Sequence, residues 1–516
     1  MTALEAVVVL ASVVATGLAD RRWWLVAQRE HYLPGSATRF ALRWWVRLGP
    51  NRLLAAAAVL GVVLSPLSPF TGLVGVAAIG AGPFRFPWRG RSPGPLRWTT
   101  RVRTVAAVTG ALQAIVVGLG VVLGVAVPVA AVVALLSPLA VDAALAILVP
   151  VEEARAGRFV EAARARLADI DPTVMAITGS YGKTTTKVYA AHLISGTRTV
   201  VPTPASFNNR AGLSRAVNEG LSPGTEVFIA EMGTYGPGEI AELCAWCHPR
   251  ISAITAIGPV HLERFGDEDA IVRAKSEVLA GADVAVLNID DPRLAALADR
   301  QEMAGQRVVR CSAVDPTATV SACPVDGRLV VRRAAEVIAD IEAPEAVPAN
   351  VAVAVALALE VGVPPSAIGG RLEELPGVPN RRARTTLSTG AVAIDDTFNS
   401  NPAGCRAALS TLGRLASTGT GAKRVVVTPG MVELGKRQAE ENAAFAGEAA
   451  AVATQLVVVG FTNRAALLAG VGRVPAEGRA EVLVADTHAL AVAWVRSHTG
   501  PGDVVLYENQ LPDHYP

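Results

Sequence analysis

The chain has 516 residues, room for about three domains, and a net charge of +2, which gives no argument for a nucleic-acid partner. Five cysteines in so long a chain do not make a disulfide scaffold and suit a reducing compartment. With 51% hydrophobic residues, only 5% aromatic, and a mean hydropathy of +0.38, the composition is too apolar for an ordinary soluble enzyme and points to a membrane portion.

Apolar runs fill residues 1–150. Ala3–Ala19 is the first. Leu53–Gly82 is the second, interrupted by "SPLSPFT". Thr104–Val149 is the third, broken at Pro128 and Pro138, with Asp142 as its one acid. A span needs about 20 apolar residues, so the second and third runs read as hairpins of two helices each, giving five spans. Arg21, Arg22, Arg29, Arg39, Arg43, Arg47 and Arg52 lie between the first two runs, and Arg85, Arg89, Arg91, Arg97, Arg101 and Arg103 between the last two. Lys/Arg-rich loops stay cytoplasmic. The expectation is therefore a multi-pass protein of the cytoplasmic membrane whose chain beyond Val149 is cytoplasmic. Trp23, Trp24, Trp44, Trp45 and Trp98 read as interfacial anchors. A cleaved signal peptide fits poorly, because no Lys or Arg precedes the first run. Asp142 reads as a helix-edge residue rather than a functional intramembrane acid.

Residues 151–169, within "EEARAGRFVEAARARLADID", form a charged amphipathic pattern, read as a surface connector. In residues 170–375, "TVMAIT", "EVFIAEMG", "ISAITAIG" and "ADVAVLN" alternate with helical stretches. That alternation predicts a parallel sheet with crossover helices. "RVVRCSAV", "TVSACPV" and "RLVVRRA" are closer together and read as a small antiparallel addition, followed by a helix at "ANVAVAVALALEVGV". In residues 376–516, "AVAIDD", "RVVVTPG", "TQLVVVG", "EVLVAD" and "GDVVLYE" predict the strands of a second, doubly wound α/β domain.

"ITGSYGKTTTK", Ile177–Lys187, joins a strand to a helix through a glycine turn, the setting of a phosphate loop. The usual spacing puts a Gly at the position of Ile177; the nearest earlier Gly is Gly179, three before Gly182. Backbone N–H groups of Gly179, Ser180, Tyr181, Gly182, Lys183, Thr184 and Thr185 would surround phosphate oxygens. Lys183 would reach the β/γ-phosphates, and the Thr184 hydroxyl would face Mg²⁺. Glu231 ends a strand of the same sheet, where an acid can hold Mg²⁺ directly or through water. "CAWCH", Cys244–His248, fits a haem-attachment pattern, but it lies on a helical stretch with no second CxxC to complete a zinc site.

"TGSYGKTTT", "FNNRAG", "IAEMG", "GPVHLERFG", "RAKSEV", "LNIDDP" and "IDDTFNSNP" together resemble the Mur ligase superfamily over residues 170–516, in the pattern of its D-alanyl-D-alanine-adding branch. The resemblance implies amide synthesis with ATP converted to ADP, through an acyl phosphate, on a carboxylate acceptor and an amino-acid or dipeptide amine. It implies two Mg²⁺ ions, one held by Thr184 and Glu231 and the other by His261. Lys275 matches a lysine that is carbamylated in many relatives, Asn350 an asparagine facing the nucleotide base, and Arg381 and Asp396 residues of the C-terminal domain that close over ATP. Asn208 and Asn209 match a loop near the substrate.

The chain also departs from the family pattern. The membrane region stands where muramoyl ligases carry a UDP-sugar-binding domain. Ala346-Val347 replaces a His-Asn, and "GDVVLYENQLPDHYP" replaces a Lys-Gly-Ser-Arg stretch. These departures raise the expectation of a membrane-bound or lipid-linked acceptor. Two alternatives stand beside it: a poly-amino-acid or folylpolyglutamate-type ligase, and a nucleotide-binding membrane scaffold without catalysis.

Overall fold

The computed structural model describes residues 2–87, 94–342, 346–378, 381, 383–398, 400–416, 422–512 and 514–515. Arg89, Arg91, Asn399, Asp513 and Pro516 of the residues named or quoted above lie outside the described residues. The chain divides into a helical unit, residues 1–154 with 511–516, and a ligase unit, residues 155–510.

The helical elements run α1 (Ala3–Arg29), α2 (Ser36–Arg47), α3 (Gly49–Val63), α4 (Pro69–Ala81), α5 (Thr100–Val122), α6 (Ala126–Leu135) and α7 (Ser137–Ile170). Among the described residues, α1 and α5 are the helices that are each long and apolar enough to cross a membrane. Two bent pairs reach that measure jointly, α2 with α3 at 113° and α6 with α7 at 72°, so length and composition allow two to four spans among the described residues, beside the five expected. The second run does fold as two short helices. A Cβ on Gly61 of α3 would lie 2.5 Å from the Cα of Gly75 on α4, a contact only glycine permits. But α4 has 13 residues, about 20 Å of helix against a hydrocarbon core of about 30 Å. The basic stretch expected as a loop is largely helix: Arg21, Arg22 and Arg29 lie on α1, and Arg39, Arg43 and Arg47 on α2.

Trp23 and Trp44 are core residues rather than interfacial anchors. Both are buried, with their rings edge-on to Phe86 at 5.6 and 5.0 Å. Trp98 remains exposed and meets Trp24 edge-on. Asp142 lies inside α7 rather than at a helix edge. It is buried on α7 and accepts the N–H groups of Ala37 (3.1 Å) and Thr38 (2.8 Å), capping the first turn of α2. Arg22 does the converse, donating to the Ile79 and Gly80 carbonyls at the carboxyl end of α4. Residues 511–515 belong to this unit. The His514 ring is 1% exposed, lies 2.9 Å from Glu30 Oε1 and packs on Phe40, while its carbonyl accepts the Trp44 indole N–H. Glu30 also pairs with Arg39 at 2.9 Å.

The stretch read as a separate connector is the second half of α7, and the two units divide inside that helix after Ala154. The ligase unit then runs β1 (Thr173–Thr178), α8 (Lys183–Ile194), β2 (Val200–Pro202), α9 (Arg210–Gly220), β3 (Val227–Glu231), α10 (Glu239–Cys247), β4 (Ile251–Ile254), α11 (Leu262–Phe265), α12 (Glu268–Ser276), β5 (Val284–Asn288), α13 (Pro292–Met303), β6 (Arg307–Ser312), β7 (Val320–Val325), β8 (Arg328–Arg333), β9 (Glu336–Ile341), α14 (Pro348–Glu360) and α15 (Pro365–Leu372). These strands form one nine-stranded sheet in the order β2-β3-β1-β4-β5-β6-β7-β8-β9. The expected antiparallel addition is thus a continuation of the same sheet. β6 and β7 join in parallel, and only the β7–β8 and β8–β9 pairings are antiparallel. α14, apolar on every face, packs against α8 and strands β5 to β7 and is buried from Asn350 to Ala358.

A second sheet follows, with β10 (Ala383–Thr386), β11 (Val392–Asp396), α16 (Pro402–Ala416), β12 (Arg424–Thr428), α17 (Gln438–Val452), β13 (Gln455–Val459), α18 (Arg464–Val471), β14 (Glu481–Ala485), α19 (His488–His498) and β15 (Val504–Glu508). Its order is β10-β11-β15-β12-β13-β14, parallel except for β10. In the first sheet β1 lies between β3 and β4, where the winding reverses. Ligands of such sheets bind outside the carboxyl ends of the strands at that reversal.

Candidate active site

The glycine turn leaves β1 at that reversal. Gly179 has φ +150°, and a Cβ there would lie 2.0 Å from Thr255 Oγ1; Gly182 has φ +80°, and a Cβ there would lie 2.4 Å from Asn350 Oδ1. Both glycines are set by left-side backbone geometry and by close approach, so the three-residue spacing is a complete turn rather than a degraded one. The Ser180 amide donates to the Ala256 carbonyl and its hydroxyl exchanges hydrogen bonds with Gly258, which fastens the turn to the segment after β4. α8 starts at Lys183 with no side-chain cap, leaving its first-turn N–H groups for an anion. Lys183 Nζ donates back to the Gly179 carbonyl at 2.8 Å. Burial lowers its pKa to about 8; Glu231 opposes that shift and Arg381 adds to it.

Glu231, at the end of β3, is buried at the centre of the site. Its Oε1 accepts the Thr184 hydroxyl at 3.1 Å and the Asn208 amide at 3.3 Å. Its Oε2 carries no hydrogen bond and faces the Lys187 ammonium at 2.9 Å, an ion pair by distance alone. Lys187, one helical turn after Lys183, went unassigned in the sequence because its partner is far along the chain. Asn208 therefore joins the site, whereas the Asn209 side chain caps α9 by accepting the Gly212 N–H at 2.9 Å.

His261 follows β4 in the left-handed region (φ 53°), with its ring edge-on to Tyr235 and its Nδ1 hydrogen-bonded to Glu433. Beside it, Arg437 reaches Glu268 at 2.7 Å, so residues 433–437 close onto the stretch 261–268. Lys275, on α12, is 2% exposed and has no hydrogen-bond or ion-pair partner among the described residues. Burial, with the Lys183 ammonium nearby, holds its pKa well below the ordinary lysine value and so favours the free amine.

A cavity of about 430 Å³ opens beside the turn. Tyr181, Gly182, Thr185, Asn350, Arg381 and Asp396 all line it. The Arg381 guanidinium stacks over Phe398 at 4.8 Å, and burial lowers its pKa against the pull of Glu231 and Asp396. Beneath the Ser400 rim, Glu508 is fully buried and accepts hydrogen bonds from Ser400, from Cys405 (3.0 Å) and from Thr428 (3.1 Å). Burial raises its pKa to about 7. Nothing in the sequence marked Glu508, because an acid at a strand end is common.

The residues present fit a magnesium nucleotide in kind: a buried carboxylate beside a threonine hydroxyl, a lysine and free helix amides at the mouth of a cavity. No group of three His, Cys, Asp or Glu side chains gathers as a metal cluster among the described residues. That suits an ion which keeps several waters and phosphate oxygens. "CAWCH" offers no haem or metal site: Cys244 and Cys247 face the core, burial raises the Cys244 thiol to about 12, and His248 is exposed.

Comparison with known proteins fits this geometry. Residues 177–327 match the Mur ligase middle domain, and residues 381–507 match the Mur ligase glutamate ligase domain. The UDP-N-acetylmuramoyl-tripeptide–D-alanyl-D-alanine ligase of Mycobacterium leprae is 33% identical over 370 residues, 65% of this chain and 70% of the relative. The chain belongs to the Mur ligase family. This Mur ligase is an ATP-dependent amide ligase, and its fold matches solved family structures. MurF from Acinetobacter baumannii superposes with a TM-score of 0.57 at 25% identity, covering 68% of this chain and 77% of that one. The Thermotoga maritima MurF in complex with ADP gives 0.53 at 24%, covering 69% and 80%, a likeness of fold.

Proposed function

We propose that the enzyme extends a cell-envelope peptide at the cytoplasmic membrane, joining an acceptor carboxylate to D-alanyl-D-alanine or a related amine. The carrying observation is the cavity at the carboxyl end of β1, where Gly182, Asn350, Arg381 and Asp396 converge beside Lys183 and Glu231. The acceptor carboxylate oxygen attacks the γ-phosphorus of ATP and ADP leaves. The amine nitrogen then attacks the acyl carbon, and inorganic phosphate leaves with the acyl C–O bond electrons. Lys183, the Tyr181–Thr185 amides and Arg381 hold phosphate charge, Asn350 borders the base, and Asn208 orients the acceptor. Thr184 and Glu231 would hold one magnesium ion and His261 a second, whose charge would neutralise the clustered phosphates. Lys275 presents a buried, unpaired amine, the form that adds carbon dioxide; as a carbamate it places a negative charge beside Lys183.

The apolar helices support a membrane setting, because α1 and α5 each have the length and composition of a span while both family matches lie within residues 177–507. Purified enzyme in lipid nanodiscs, given ATP and D-alanyl-D-alanine, is expected to release ADP and form product faster with a lipid-linked muramoyl tripeptide than with its UDP-linked form. Turnover confined to the soluble UDP-linked acceptor would sink the membrane-acceptor reading. No acceptor-dependent ADP release would sink the substrate class.

A further inference from the structure

We infer that Lys187 is a fixed counter-charge that weakens the hold of Glu231 on its metal ion, so that the ion leaves with ADP. The inference rests on the reading that Glu231 is a metal ligand. Three observations point to it. First, the Glu231 carboxylate is divided: Oε1 faces the Thr184 hydroxyl and the Asn208 amide, while Oε2 faces only the Lys187 ammonium. Second, the ammonium cannot swing away. Its Nζ donates to the Ala205 carbonyl at 2.5 Å, and the side chain is 3% exposed. Third, Ala205 belongs to the segment that brings Asn208 to Glu231, and the Asn208 carbonyl accepts the Gly233 N–H at 2.7 Å. One lysine thus fastens that segment and stands a positive charge against the carboxylate.

A cation 2.9 Å from a buried carboxylate repels any second cation on the same group, strongly so where water is excluded. Without it, Glu231 would bind a divalent ion more tightly and the product complex would persist. Lys187 is therefore a positioning residue, acting through Glu231 and touching no reacting atom.

The test uses full-length enzyme, with Mn²⁺ as a paramagnetic probe in the presence of ADP. Lys187→Met is expected to bind Mn²⁺ about tenfold or more tightly, while turnover falls and inhibition by ADP sharpens only when divalent metal is present. Lys187→Arg keeps a cation and should keep the parent affinity. Hydrogen exchange of the β1 and α14 amides, unchanged in the methionine variant, shows that the fold stands. Unchanged or weaker Mn²⁺ binding in Lys187→Met, with those amides protected, overturns the inference. A merely structural role predicts weaker binding, the opposite sign. Glu231→Gln separates the two readings: if it binds Mn²⁺ like the parent, the metal assignment of Glu231 fails and this inference goes with it.

Discussion

In the helical unit, three buried charges each end on groups that call for them. Asp142 accepts the first N–H groups of α2, Arg22 donates to the last carbonyls of α4, and Glu30 lies between Arg39 and His514. In the ligase unit, Lys183, Lys187, Glu231 and Lys275 crowd toward one strand end, and Lys275 has no partner among the described residues. The difference teaches that an ionisable group inside an apolar element is not by itself a mark of chemistry. An intramembrane acid is a functional candidate by default, yet Asp142 is accounted for by a helix end. Perturbed groups that converge without local partners are the stronger sign.

The sharpest way to break the comparison is Lys275→Ala. A buried amine with a catalytic role should lose turnover about a thousandfold, roughly 4 kcal/mol of transition-state stabilisation, with ATP binding retained. Parent-level activity would place Lys275 with the structural charges. A ¹³C signal from labelled bicarbonate on the parent, absent in the variant, would identify the carbamate directly.

Glu508 extends the comparison to an acid that the proposed chemistry does not use. Its folded pKa, near 7, lies above the unfolded carboxylate value. Its contribution to stability is therefore complete below about pH 4.5 and is lost as pH rises through 7. Glu508→Gln should flatten that slope, recovering on the order of 3 kcal/mol at pH 8 relative to pH 4. Denaturation of the parent and the variant across that range checks it, and equal slopes would refute it.

The smallest effect belongs to the helical unit. Asp142→Ala uncaps α2 and should cost about 1 kcal/mol of stability while leaving ligase turnover unchanged. A tenfold fall in turnover would make Asp142 functional and erase the contrast.

Most strands of both sheets were legible because each is a short apolar run bounded by turn residues. β2, β9 and β10 were not: they are edge strands of three, six and four residues without a clear apolar alternation. The number of spans was harder to read: Gly49-Pro50 in "RWWVRLGPNR" marks a break, but composition does not give the 113° bend between α2 and α3. At the site, Lys183, Thr184 and Glu231 were legible from a loop and a strand end. Lys187 and Glu433 were not. The partner of Lys187 sits on another strand, and Glu433 meets His261 across 172 residues, distances over which pattern carries no information.

The seating of His514 against Glu30, Phe40 and Trp44 also bears on biosynthesis. The helices of residues 1–154 emerge from the ribosome first, but the segment that completes their core follows only after residues 155–510 have been made. The first unit to be synthesised is then the last to be finished.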